Sequence, residues 1–266
     1  MRRIMTALAC LALVAGSWST ALAQDAEYAA AEYEGPMFSQ IIEFEVSPGQ
    51  AAGFEMAMEK IVEAAELADL SADYGWMFFQ NGSNFTLVFP VENMAYFDDE
   101  DQWMREFSDT PGEATLMEAF GMFDELDYSS KSSIQKRNAA HSYMPPNPIE
   151  NPNNVMVFSN WVKPGKQEAH AENTAALMEL ISDVQWRYAV HAFDGVIGDG
   201  GLRIYVVPFD DMTTFYGDGS LQAALAQHEK GEEWEALMGK RMKLIRAMDS
   251  QDHASVPGMT YMPEGN

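Results

Sequence analysis

Two tripeptides set the first constraint on this chain. Tyr-Met-Pro stands at Tyr143 to Pro145 and again at Tyr261 to Pro263, the second tyrosine following the first by 118 positions. Walking back from both tags, that offset holds without a gap for 55 positions, from Pro90 to Pro145 and from Pro208 to Pro263. "FPVENMAYF" (Phe89 to Phe97) then lies over "VPFDDMTTF" (Val207 to Phe215), sharing the proline, the methionine and the last phenylalanine. Further upstream "VSPGQ" (Val46 to Gln50) matches "VKPGK" (Val162 to Lys166). Self-similarity over so long a period reads as one structural plan written twice.

Each half shows the same succession of hydrophobic periods. "FSQIIEFEV" and "NVMVFSNWV" are apolar and β-branched enough for strands, and Pro-Gly ends each. Phe54, Met58, Ile61 and Ala65 then fall on one helix face, a spacing repeated by Asn173, Leu177, Leu180 and Val184. "YGWMFF" and "YAVHAF" lead through Gly-containing turns into "FTLVFP" and "RIYVVP". Short helices near Trp103 to Phe107 and Leu221 to Gln227 precede longer ones, about Glu113 to Asp127 and Glu232 to Met248. Each half is expected to close with a short extended segment at Tyr-Met-Pro.

This order is the split βαβ plan, which predicts an α+β fold of two tandem ferredoxin-like modules with antiparallel sheets. Helices cover one face of each sheet, so the bare faces are expected to pack together as an intramolecular dimeric α+β barrel. The first module is placed at residues 37–145, a Pro/Asn-rich linker at 146–153, and the second module at 154–263. Because the modules satisfy each other, a monomer is the simplest expectation.

The beginning of the chain reads as an export signal over residues 1–23, with Arg2 and Arg3 before "LACLALVAG" and a small-residue cleavage site ending at Ala23. An acidic, loose tail over 24–36 would follow, and the product would be periplasmic or secreted, of bacterial type. The single cysteine, Cys10, would leave with that signal, which excludes thiol chemistry and Cys-ligated metal from the remainder. With 41 acidic against 16 basic residues the formal net charge is −25, which repels nucleic acid and anionic membrane surfaces. No stable membrane insertion is expected. The methionines, 19 in all, read as core filler rather than a copper site. "DDED" (Asp98 to Asp101) lacks the turn glycine and closing glutamate of a calcium loop, so no metal site is expected.

The "VKPGK" strand-to-helix turn, and a third strand followed by an acidic turn and "MTTF", resemble domains of the antibiotic-biosynthesis-monooxygenase type. The whole chain is similar to the dimeric α+β barrel superfamily in its fused, tandem form. That superfamily holds cofactor-free monooxygenases, haem-degrading and chlorite-dismutase-like haem proteins, isomerases and stress proteins, so the fold does not choose the function.

Candidate site residues come from positions where the halves differ in kind. His170 and Thr174 stand where the first half has Phe54 and Met58, His191 answers Met77, and Arg203 answers Phe85. The expectation is a polar pocket in the second half that binds a small, partly aromatic ligand, with a packed core in the first. Cofactor-free oxygenation or isomerisation, the alternative, needs a site that stabilises a substrate anion. Arg203, His191, Tyr205 and Trp186 are suitable types for it. In the haem branch the resemblance implies an asparagine and a tryptophan on the first strand and a histidine on the helix after the third. Asn160, Trp161 and His228 match these, against Phe44, Glu45 and Thr110 in the first half. Neither a P-loop, a dinucleotide glycine pattern, a nucleophile elbow nor a zinc helix motif is present, and whether the protein is an enzyme stays open.

Overall fold

The structure is a computed structural model that describes residues 37–98, 102–149 and 152–263. The expected signal and acidic tail, most of the Asp98 to Asp101 run and the middle of the expected linker lie outside the described residues. The fold class is α+β, with two ferredoxin-like modules in tandem and antiparallel strands throughout. Two compact units form, the first from described residues 37–133 with 256–263 and the second from 134–255.

In unit 1, β1 (Phe38–Val46) runs into α1 (Ala51–Ala68), and β2 (Met77–Asn81) and β3 (Asn84–Val91) make a hairpin. β3 lies in the middle, paired with β1 on one side and β2 on the other. Pro48 and Gly49 end β1, and Gly49 at φ 86° takes the left-handed turn that a side chain would strain. α1 buries Phe54, Ala57, Met58, Ile61, Ala64 and Ala65, the three-and-four spacing of one helix face. After α2 (Gln102–Phe107), α3 (Glu113–Asp124) packs beside α1. The approach is close: a Cβ on Gly112 would fall 2.1 Å from the Ala64 carbonyl oxygen, so glycine is required there.

Unit 2 repeats that order with β5 (Asn154–Val162), α4 (Gln167–Asp183), β6 (His191–Ile197) and β7 (Leu202–Phe209). The short helices α5 (Met212–Tyr216) and α6 (Leu221–Gln227) follow, then α7 (Gly231–Leu244) and β8 (Ile245–Ser255). Its strand order is β8-β5-β7-β6, the ferredoxin-like arrangement. Residues 134–137, the end of β4 (Tyr128–Arg137), add a further strand beside β6.

The expected first strands match β1 and β5 residue for residue. The closing strands differ. β4 and β8 occupy polar sequence, "YSSKSSIQKR" and "IRAMDSQDHAS", ahead of each Tyr-Met-Pro. β8 exposes most of its residues, so it carries no apolar period to read, and Ile245 to Met248, expected in the preceding helix, belong to this strand.

The two tags make equivalent contacts. Tyr261 lies in unit 1, exchanging backbone hydrogen bonds with Trp76 (2.8 and 3.1 Å) while its hydroxyl donates to the Leu70 carbonyl at 2.7 Å. Tyr143 lies in unit 2, exchanging backbone bonds with Val190 at 2.8 Å while its hydroxyl donates to the Trp186 carbonyl at 2.8 Å. Each tyrosine thus satisfies a strand edge and a helix-end carbonyl at once. Tyr261→Phe and Tyr143→Phe should each lower stability by about 1–2 kcal/mol by leaving that carbonyl without its donor. Urea denaturation of the single and double variants measures it, and the double should approach the sum because the tyrosines share no partner.

Candidate functional site

The helix-facing layer of each unit is built from corresponding positions, and the two layers differ in chemistry. In unit 1, Phe44 of β1 pairs with Phe85 of β3. The Phe54 ring of α1 sits 5.1 Å from Phe44, 4.8 Å from Phe85 and 5.2 Å from Phe123 of α3. Four phenylalanines from two strands and two helices therefore meet in the layer, with Phe78 and Tyr128 packed beside them. In unit 2, Asn160 of β5 pairs with Arg203 of β7 in the same register. α4 buries His170, Asn173, Thr174, Leu177, Leu180 and Ile181, position for position with the buried face of α1. α7 buries Arg241 at the place that Phe123 takes in α3. Asn160, His170, Arg203 and Arg241 thus stand where unit 1 has its four rings.

Strand alternation fixes which candidates meet. The Tyr205 hydroxyl reaches Thr174 of α4 at 3.0 Å, so alternate residues of β7, Arg203 and Tyr205 among them, face the helices. Phe158 and Asn160, paired with them, share that face. Thr174 is the hub: its hydroxyl donates to the His170 carbonyl at 2.9 Å and receives Arg241 Nη2 at 2.6 Å. Arg241 Nη2 also reaches the Tyr205 hydroxyl at 3.2 Å, and its guanidinium lies 4.9 Å from the Tyr205 ring centre.

Arg241 is the decisive member and was not among the residues expected from sequence. It is 7% exposed, and among the described residues no carboxylate pairs with it. Burial lowers its pKa, yet a guanidinium remains charged at neutral pH. His170 beside it is 2% exposed, and burial together with Arg241 and Arg203 pushes its pKa down to about 3, so it is neutral. Four buried polar atoms of the layer have no hydrogen-bond partner among the described residues: His170 Nε2, Arg241 Nε, Asn160 Oδ1 and Asn173 Oδ1. So many in one layer is unusual for a packed interior.

The remaining candidates are distributed around this layer. Arg203 borders it but is engaged, with Nε 2.9 Å from Asp194 Oδ1 and Nη1 donating to the Gly200 and Leu202 carbonyls. Asp194 also accepts from Asn138, whose amide lies 2.9 Å from His141 Nδ1 in the turn packed against α4. His191 alternates with Ala192 on β6 and pairs with Val206, so it projects from the opposite sheet face. There Arg137 donates to its Nδ1 at 3.1 Å, and burial with that cation pushes its pKa down to about 4. Trp186 donates its indole N–H to the Gly219 carbonyl and packs on Tyr188 and Phe215, inside the apolar core. His228 is exposed at the end of α6. The methionines are less buried than core filler would be: Met56, Met212, Met242 and Met262 are among those exposed. A cavity of about 310 Å³ lies elsewhere, against α2 and α3 of unit 1, lined by Met104, Phe107 and Met117 among others. Among the described residues no cluster of three or more His, Cys, Asp or Glu could hold a metal, and no helix is long and apolar enough to cross a membrane.

No family model matches the chain, and no curated protein matches it by sequence. Solved structures do. A candidate monooxygenase from Fusobacterium nucleatum aligns at TM-score 0.54 and 9% identity, covering 88% of this chain and 97% of its own. Another from Lactobacillus acidophilus aligns at TM-score 0.51 and 10% identity, covering 86% and 97%. At this identity the likeness is one of fold: the α+β arrangement described above is shared with these two proteins. A chlorite dismutase from Candidatus Nitrospira defluvii, in complex with imidazole, aligns at TM-score 0.45 and 10% identity over 85% of this chain and 93% of its own.

A buried cation without a counter-ion costs folding energy that an apolar side chain would not. Arg241→Met should therefore stabilise the protein by about 1–3 kcal/mol, since Thr174 and Tyr205 still hydrogen-bond each other after its removal. Thermal and urea unfolding give the value; a loss of stability would show the arginine to be a structural tie. The pH dependence carries a defined sign. The unfolded chain takes up a proton on His170 below pH 6.5 while the folded chain refuses it down to about 3. Stability must then fall with acidification through that window, by up to about 1.4 kcal/mol per pH unit for each such histidine. His170→Phe, the residue that unit 1 uses, should flatten that slope by one proton in urea titrations between pH 6 and 4.

Proposed function

We propose that the layer between α4, α7 and the sheet of unit 2 binds a small, partly aromatic molecule. The observation that carries the reading is the replacement of a phenylalanine cluster by buried polar groups, four of whose atoms lack a partner among the described residues. A layer needed only for packing would be filled as unit 1 fills it. Tyr205 and Phe158 supply apolar walls, and Arg241, Asn160 and Asn173 supply orientation.

A second reading, a cofactor-free monooxygenase or isomerase, draws on His170. His170 is held neutral, and an anion forming at Arg241 offsets that cation and raises the imidazole's basicity, so that His170 can take the proton of an acidic phenol or carbon while Arg241 stabilises the anion formed. The two neighbours described as candidate monooxygenases make this the chemistry to try first. Haem is not the ligand we propose, because His228 is exposed and offers no enclosed axial position.

We also propose that the two halves of the sequence arose by duplication, and that the acidic chain is exported and works as a monomer. Mass determination of the mature protein should then place its first residue at Gln24. A screen of small aromatics should find compounds that raise the melting temperature of the wild type and not of Thr174→Val with Asn160→Leu. Oxygen uptake or product formation with those same compounds decides between the readings. Turnover abolished in His170→Phe supports the enzyme, and saturable stabilisation without turnover supports the binder. Compounds that stabilise both proteins equally would remove this layer from consideration.

A further inference from the structure

We infer that the ligand of this layer is a hydroxylated aromatic or apolar monoanion, a carboxylate or phenolate whose negative charge is received by Arg241. The inference rests on the reading of the layer as a ligand site and adds the charge and polarity of what enters it.

The charge balance around the layer comes from every element that faces it. Arg203 of β7 and Asp194 of β6 neutralise each other at 2.9 Å, and Asp194 is further occupied by Asn138. His170 of α4 is neutral, and burial lowers the pKa of His141 in the adjoining turn despite the nearby Asp194. Asn160 of β5, with Asn173 and Thr174 of α4, brings no charge. Arg241 of α7 is left, among the described residues, as one uncompensated positive charge in the interior of a chain whose formal net charge is −25. Acidic residues are plentiful in this sequence, and none of those described has been placed against it. One anionic oxygen or carboxylate restores neutrality; a dianion would leave the layer negative, and a cation would double the existing penalty.

The unpartnered atoms define the rest of the ligand. Arg241 Nε is a donor, and it lies on the same guanidinium that already binds Thr174 and Tyr205 through Nη2. Asn173 spends its amide N–H on the Leu237 carbonyl, which leaves its Oδ1 as an acceptor, and Asn160 Oδ1 is a second. Two free acceptors call for a ligand that also carries an O–H donor. Anion, hydroxyl and flat apolar body together describe a hydroxybenzoate-like or hydroquinone-monoanion-like molecule.

The probes are 4-hydroxybenzoate, 4-hydroxybenzamide and tyramine, with nearly the same body and different charge, titrated into the full exported chain at constant ionic strength. Binding is followed by calorimetry and by the side-chain resonances of His170 and Asn160. The expected result is 4-hydroxybenzoate binding at least about tenfold more tightly than the amide, with no binding of tyramine. Arg241→Met should erase the preference for the acid over the amide, while Arg241→Lys should keep part of it. A readout in the wild type alone guards against a poorly folded variant. Neutralising Arg241 with a bound carboxylate should raise the pKa of His170 from its value of about 3, visible by NMR titration. Equal affinity for acid and amide, both perturbing His170 and Asn160, would overturn the anion inference and leave the site standing. Failure of all three probes to perturb those residues would overturn the site reading itself.

Discussion

A ferredoxin-like sheet must be covered by its helices, and the side chains in that single layer set how much of the protein's stability is available for anything else. Unit 1 fills the layer with Phe44, Phe54, Phe85 and Phe123, whose rings contact each other at tilted and stacked geometries. Unit 2 keeps the backbone plan and the buried helix positions but places Asn160, His170, Arg203 and Arg241 there. Burying these groups lowers stability relative to the aromatic arrangement. The remaining core of unit 2, with Phe209 stacked on Phe215 and Trp186 beside Tyr188, must offset it.

The side chains of the polar layer are held from several directions. Thr174 on α4 gathers the Arg241 and Tyr205 groups, and Asn173 anchors to the α7 backbone at Leu237. The ion pair of Arg203 with Asp194 and the Asn138 bridge to His141 close one border. Such a frame fixes rotamers, which would limit the ordering cost of binding the proposed ligand. The same frame keeps His170 neutral: the cations near it and the loss of water act in the same direction.

Parts of this site were legible before any coordinates. Comparing the two halves residue by residue singled out His170, Thr174 and Arg203 because each replaces an apolar residue of the first half. Carried along the last helix, expected at about Glu232 to Met248, the same offset of 118 also sets Arg241 over Phe123, a polar-for-apolar difference of the same kind. His191 passed the same test and yet lies on the other face, because its counterpart Met77 is itself 38% exposed and was never part of the layer. A difference in residue type marks a site only where the shared position is buried.

What the sequence determined by itself was the order of elements and the plan of each module, because apolar periods, Pro-Gly turns and the two tyrosine tags are local signals that survive without a fold. β1 and β5 were readable to the residue for that reason. β4 and β8 were not, since polar strands are held by pairing to neighbours far away in the chain. Tertiary structure alone decided that Arg241 has no described carboxylate against it and that Tyr143 and Tyr261 close strand edges. Burial and hydrogen-bond partnership depend on which distant residues arrive at one place, and no local pattern encodes that.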